Sequence, residues 1–127
     1  MKRHAEEHDR LPLAPHVLQI LVSVLDRPQH GYAIIKEISE RTEGEMQLGT
    51  STLYSAIKRM VAAGLLVETD PPAAIAPDDA RRRYYVATLG GVCAARIEVE
   101  RMRHWTHILE KEGVIAKLGV VGRGGAR

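Results

Sequence analysis

The chain has 127 residues, 45% apolar and 27% charged, the make-up of a soluble globular protein with one compact domain, or a small domain plus one long helix. Its single cysteine, Cys93, excludes an internal disulfide and fits a reducing compartment, and no apolar run approaches the ~18 residues needed to span a bilayer, so a cytoplasmic protein is expected. The net charge of +2 does not by itself announce nucleic acid; what matters is where the basic residues sit.

Residues 1–10 mix Lys2, Arg3 and Arg10 with Glu6, Glu7 and Asp9, with no apolar region behind them. They read as a mobile arm (residues 1–12) and not as a signal peptide. A first helix is expected from about Ala14 to Leu25, with Val17, Leu18, Leu21, Val22 and Leu25 as its buried stripe and Pro15 in its first turn. DRPQHG, with Pro28 and Gly31, breaks the pattern as a turn. A second helix, about His30 to Thr42, turns Tyr32, Ile35 and Ile38 inward and Lys36, Glu37, Glu40 and Arg41 outward. After EGEMQLG, a third helix runs from Thr50 to about Ala63. Its apolar face is Leu53, Ile57, Met60 and Val61, and Gly64 is placed to stop it.

The hydrophobic period then drops from 3.6 to about 2. LLVET and RRRYYVATL read as strands joined by the loop DPPAAIAPDDA, a β-hairpin appended to a small helical bundle. A last helix starts after Thr88, a good N-cap, and continues to about Glu112, ~36 Å at 1.5 Å per residue. Val92, Ala95, Val99, Met102 and Leu109 follow an alternating three-and-four register. Thr106 interrupts this seam and Trp105 flanks it, while Arg96, Glu100, Arg103 and Lys111 lie opposite. One narrow seam on a long helix suits a partner helix, so a homodimer is expected, with packing inside the chain as the alternative. The fold class is mainly α with a small β-hairpin. The winged helix-turn-helix covers residues 13–89, the C-terminal dimerisation helix residues 90–113, and a flexible Gly- and Arg-bearing tail residues 114–127.

Three helices followed by a hairpin is the order in which the third helix can enter the major groove, with the hairpin along the backbone or minor groove. Such a helix needs small donors on its outer N-terminal face. Thr50, Ser51, Thr52 and Ser55 supply them, and Lys58 and Arg59 follow one to two turns later, within reach of phosphates or guanine. Arg81, Arg82 and Arg83 stand together at the base of the wing, although alternation sends at least one of them to solvent. On spacing and charge, double-stranded DNA binding and a dimeric protein-interaction module without specific DNA binding stay equally open.

HGYAIIKEI, STLYSAIKRMVAAGLL and RRRYYVATLGG, in that order and at those separations, resemble the PadR family of transcriptional regulators. His30-Gly31-Tyr32, Thr52-Leu53-Tyr54, Gly64-Leu65, Arg82-Arg83-Tyr84-Tyr85 and Thr88 occupy the places of the family pattern, and the resemblance runs from about Leu13 to Glu112. A single C-terminal helix resembles the family's short class. The resemblance implies a homodimer formed through that helix, binding a roughly palindromic operator, usually as a repressor. It also implies DNA contacts by Tyr32, Lys36, Thr52, Tyr54, Lys58 and the wing arginines. Ser55 stands where the family often has proline and Ser51 where glycine is common, so Ser51 is a candidate contact or cap. The wing loop is longer and more acidic than the family's usual wing. Its tip is expected to be mobile, with Asp78 and Asp79 repelling phosphates.

Trp105 has two readings: a large hydrophobic anchor at the seam, or, with Met102, the wall of a site for a small flat aromatic effector, as some members of the family resemble sensors of aromatic compounds. His104 and His107 lack the further ligands a metal site needs, and Cys93 reads as a core thiol. No nucleophile elbow or phosphate loop is present, so neither an enzyme nor a cofactor is expected.

Overall fold

The computed structural model describes residues 12–73, 75–113 and 116–117, so the expected N-terminal arm and the Gly- and Arg-bearing tail fall almost wholly outside the described residues. In chain order the elements are α1 (Pro15–Ser23), β1 (Gln29–His30), α2 (Gly31–Arg41), α3 (Thr50–Ala62), β2 (Leu66–Thr69), α4 (Pro77–Ala80), β3 (Tyr84–Ala87) and α5 (Leu89–Lys111). The three strands form one antiparallel sheet in the order β1-β3-β2. This is a winged helix-turn-helix with a long C-terminal helix. By its contacts the chain divides into two compact units between Ala95 and Arg96, within α5.

The first unit is built around a core drawn from α1, α2, α3, the start of α5 and the sheet: Ile20, Leu21 and Val24, Ile34 and Ile38, Leu53, Ala56, Ile57 and Met60, with Leu65, Leu66, Tyr85 and Ala94. In three helices the buried stripe is rotated from the expected one. Val22, Tyr32 and Val61, expected inside, are 38%, 59% and 40% exposed, while Ile20, Ile34 and Ala56 are buried in their place. Each of these helices carries apolar residues on more than one three-to-four register. Periodicity therefore leaves the choice of face to packing between elements.

Local chemistry sets the ends. Pro15 opens α1, and His30 caps α2 by accepting the Ala33 N–H at Nδ1, 3.2 Å away. Thr42 closes α2 by donating to the Ile38 carbonyl and accepting the Met46 N–H, which holds the turn that leads to α3. Gly64, at φ +79°, ends α3 in a Schellman motif: Leu65 N–H bonds the Met60 carbonyl and Gly64 N–H that of Val61. Thr88 caps α5, accepting the Gly91 N–H at 3.0 Å and donating to the Gly64 carbonyl. A Cβ on Gly91 would lie 2.2 Å from the Leu65 carbonyl oxygen, so only glycine lets α5 start this close to the backbone entering β2.

Two elements depart from the expected hairpin. Gln29 and His30 pair with Tyr85 and Tyr84, so the segment expected as a turn is a third strand, and β3 becomes the central one. The wing loop contains the helical turn α4, which Pro77 opens. Of the two acidic residues of α4, Asp78 is exposed, while Asp79 is turned toward the protein and accepts from Arg82 at 3.1 Å.

Candidate nucleic-acid interface

The outer face of α3 presents Thr50, Ser51, Thr52, Tyr54, Ser55, Lys58 and Arg59 to solvent, while its inner face is locked in the core by Leu53, Ala56, Ile57 and Met60. Its N-cap is Gly49, with no side-chain capping bond, so Ser51 is not the cap. The first-turn N–H groups consequently stand beside three small hydroxyl side chains, an environment that favours an anion. One turn on, Arg59 donates to the Ser55 hydroxyl at 2.9 Å, which orients its guanidinium along the exposed face.

Tyr54 bridges two elements. Its hydroxyl and ring edge occupy the space where a Cβ of Gly31 would lie, 2.3 and 2.7 Å from that position, with Leu53 at 3.2 Å. The glycine between His30 and Tyr32 thus lets the start of α2 seat against α3 and fixes Tyr54 in place. The next two exposed residues of α2 toward its centre are Tyr32 and Lys36.

Against the other edge of α3 lies the wing. Tyr54, Ile57, Lys58, Val61, Glu68, Arg83 and Tyr85 line a groove of about 390 Å³ between helix and wing. Its floor is apolar, Lys58 and Arg83 bring cations, and Glu68 is the single carboxylate among these residues. Burial, and then the Glu68 carboxylate, push the Tyr85 phenol above its ordinary value, although Arg83 beside it works the other way. Tyr85 therefore stays protonated at neutral pH.

The three wing arginines separate. Arg81 and Arg83 are exposed. Arg82 is half-buried: its Nε donates to Asp79 and its guanidinium lies 4.8 Å from the centre of the Tyr32 ring. Asp79 also lies 3.9 Å from His30 Nε2, and His30 stands edge-on to Tyr84, with ring centres 5.4 Å apart. His30, Gly31, Glu68 and Tyr85 were not expected as parts of this surface, and Asp79 was expected there only to repel phosphates. Only strand pairing and the seating of α2 on α3 bring them to it; the available signal was the run His30-Gly31-Tyr32, whose glycine has a packing reason.

On α5, Val92, Val99, Met102, Trp105 and Leu109 are between 38% and 56% exposed, whereas Ala95 is 7% exposed and has little surface to offer a partner. Thr106 is exposed as well, and a shallow groove on this helix is lined by Val99, Met102, Arg103, Thr106, His107 and Glu110. Among the described residues, no three or more His, Cys, Asp or Glu gather as a metal ion would require, and no helix is long and apolar enough to cross a membrane.

Residues 17–96 match the family model described as the transcriptional regulator PadR-like family. Solved structures share the fold. A PadR family transcription regulator from Clostridium difficile R20291 is 23% identical with a TM-score of 0.63, over 77% of this chain and 97% of the other. A transcriptional regulator from Clostridium thermocellum is 22% identical with a TM-score of 0.56, over 87% of this chain and 91% of the other. RosR of H. salinarum is 21% identical with a TM-score of 0.54, over 90% of this chain and 94% of the other. No curated protein matches the sequence.

Proposed function

The chain belongs to the PadR-like family of transcriptional regulators, and from that premise we propose that it is a homodimeric repressor that binds a roughly palindromic operator. The observation that carries this reading is the outer face of α3: small hydroxyl donors at its N-terminus, two cations beyond them, and a wing whose Arg83 lines the same groove as Lys58. Thr50, Ser51, Thr52 and Ser55 are small enough to approach base edges, and Tyr32 and Tyr54 flank them on the side of α2. Lys36, Lys58, Arg59, Arg81 and Arg83 serve phosphates. The exposed Val92, Val99, Met102, Trp105 and Leu109 supply the dimer seam, and two subunits set their recognition helices ~34 Å apart, one turn of DNA. Met102 and Trp105 are also where a flat aromatic effector would bind and relieve repression.

Titration of labelled DNA from upstream of its own gene tests the reading. Specific binding is expected, and Lys58→Ala should weaken it while lowering the slope of log affinity against log salt by about 0.9. Repeating the titration with flat aromatic compounds, and following quenching of the single tryptophan, tests the effector site. Absence of specific binding at low salt would favour instead a dimeric protein-interaction module.

A further inference from the structure

Three consecutive arginines at the root of a wing suggest three equivalent phosphate contacts, but Arg82 already has partners. Its Nε–H points to Asp79 Oδ1 at 3.1 Å, and the guanidinium carbon lies 4.8 Å from the centre of the Tyr32 ring. The side chains of Arg82 and Asp79 are only 37% and 43% exposed, and Asp79 is backed by His30 Nε2 at 3.9 Å. The contact joins α4 and the connection from α4 to β3, both in the wing, to the first turn of α2. A phosphate that took the Nε–H edge of Arg82 would have to displace the Asp79 carboxylate, and one that drew the side chain outward would lift the guanidinium off an aromatic face. Each of these interactions is modest at a partly exposed site, but a planar guanidinium serves both at once where an ammonium would not.

We propose that Arg82 and Asp79 are positioning residues that hold the Tyr32 ring, itself 59% exposed, on the DNA-facing surface. Arg82 thus acts on DNA binding through Tyr32 and not through a phosphate. The inference rests on the reading of the protein as a DNA-binding regulator. It assigns the acidic wing a role as the anchor of an aromatic contact, where charge alone suggested repulsion.

The test uses the full chain and the operator DNA, with affinity measured over a range of salt. Arg82→Ala and Arg82→Lys should both weaken specific binding by about three- to tenfold, with the wild-type salt slope retained. Adding Tyr32→Ala to Arg82→Ala should cost little more than either change by itself. Arg82→Lys binding as well as wild type, or Arg82→Ala lowering the slope by about 0.9, would assign Arg82 to a phosphate and overturn the proposal. A wild-type protein without specific binding would mark failure of the DNA-binding reading, a result distinct from either. Thermal midpoints of the same variants report the contact without DNA: strictly additive shifts for Tyr32→Ala and Arg82→Ala would also overturn it.

Discussion

At the scale of single residues, His30 does more than its half-buried position suggests. As N-cap of α2 it must offer an unprotonated Nδ1 to the Ala33 N–H, so the cap exists only in the neutral imidazole. Burial, and then the nearby Arg82 charge, hold His30 below its ordinary value, while Asp79 opposes them. A histidine depressed in the folded state contributes stability that is complete above its unfolded pKa of about 6.5 and is lost as pH falls through the folded value. His30→Asn keeps a capping acceptor that does not titrate. Thermal midpoints between pH 7.5 and 5.5 should therefore fall less in this variant than in wild type. Equal falls would show that His30 carries none of the acid sensitivity. Glu37 shows the opposite balance. Burial raises its pKa, but the Gln29 hydrogen bond and then Arg27 and Arg41 outweigh it, and the net shift is downward. The carboxylate thus ties β1 and Arg27, in the turn that follows α1, to α2.

Among the elements, α3, β2 and the start of α5 meet at a close junction. Thr88 supplies the N-cap of α5 and also closes the Gly64 carbonyl left open at the end of α3, and Gly91 admits the Leu65 backbone. Thr88→Ala removes both bonds and should cost about 1–2 kcal/mol, read as a lower thermal midpoint, with Thr88→Ser restoring most of it. An unchanged midpoint would mean that water satisfies those groups equally well. The existence and order of α1, α2, α3, β2, β3 and α5 were legible because each is bounded by Pro15, by the break at Pro28 and Gly31, by Gly64 or Thr88, or by the change of period after Leu65. Strand β1 was not legible. It has two residues, and its status depends wholly on pairing with Tyr84 and Tyr85, over 50 positions along the chain. The faces of α1 to α3 were only partly legible, since Ile20 and Val22, or Tyr32 and Ile34, are equally apolar until a neighbour selects one.

For the whole molecule, the decisive surface is the row Val92, Val99, Met102, Trp105 and Leu109 on α5. These five large apolar side chains are 38–56% exposed along one helix. If this row is the dimer seam, Met102→Glu places a carboxylate in its middle. Sedimentation velocity should then show the variant as a monomer with wild-type secondary structure. Its operator affinity should drop by ten- to a hundredfold or more on the order of the advantage of binding two linked half-sites. A variant that stays dimeric would move the interface elsewhere.

The linear chain by itself determined the class of the molecule. The 3.6-residue stripes, the change of period after Leu65, the capping residues and the ordered motifs around Tyr32, Tyr54 and Tyr84 specify a winged helix-turn-helix of the PadR type, because these are local signals that each segment carries without its neighbours. Only the tertiary structure decided which arginine is already engaged, why Gly31 and Gly91 are glycines, and that Arg82 lies against the Tyr32 ring. Those facts depend on distances between residues far apart in the chain, and a side chain's charge does not reveal which partner already holds it.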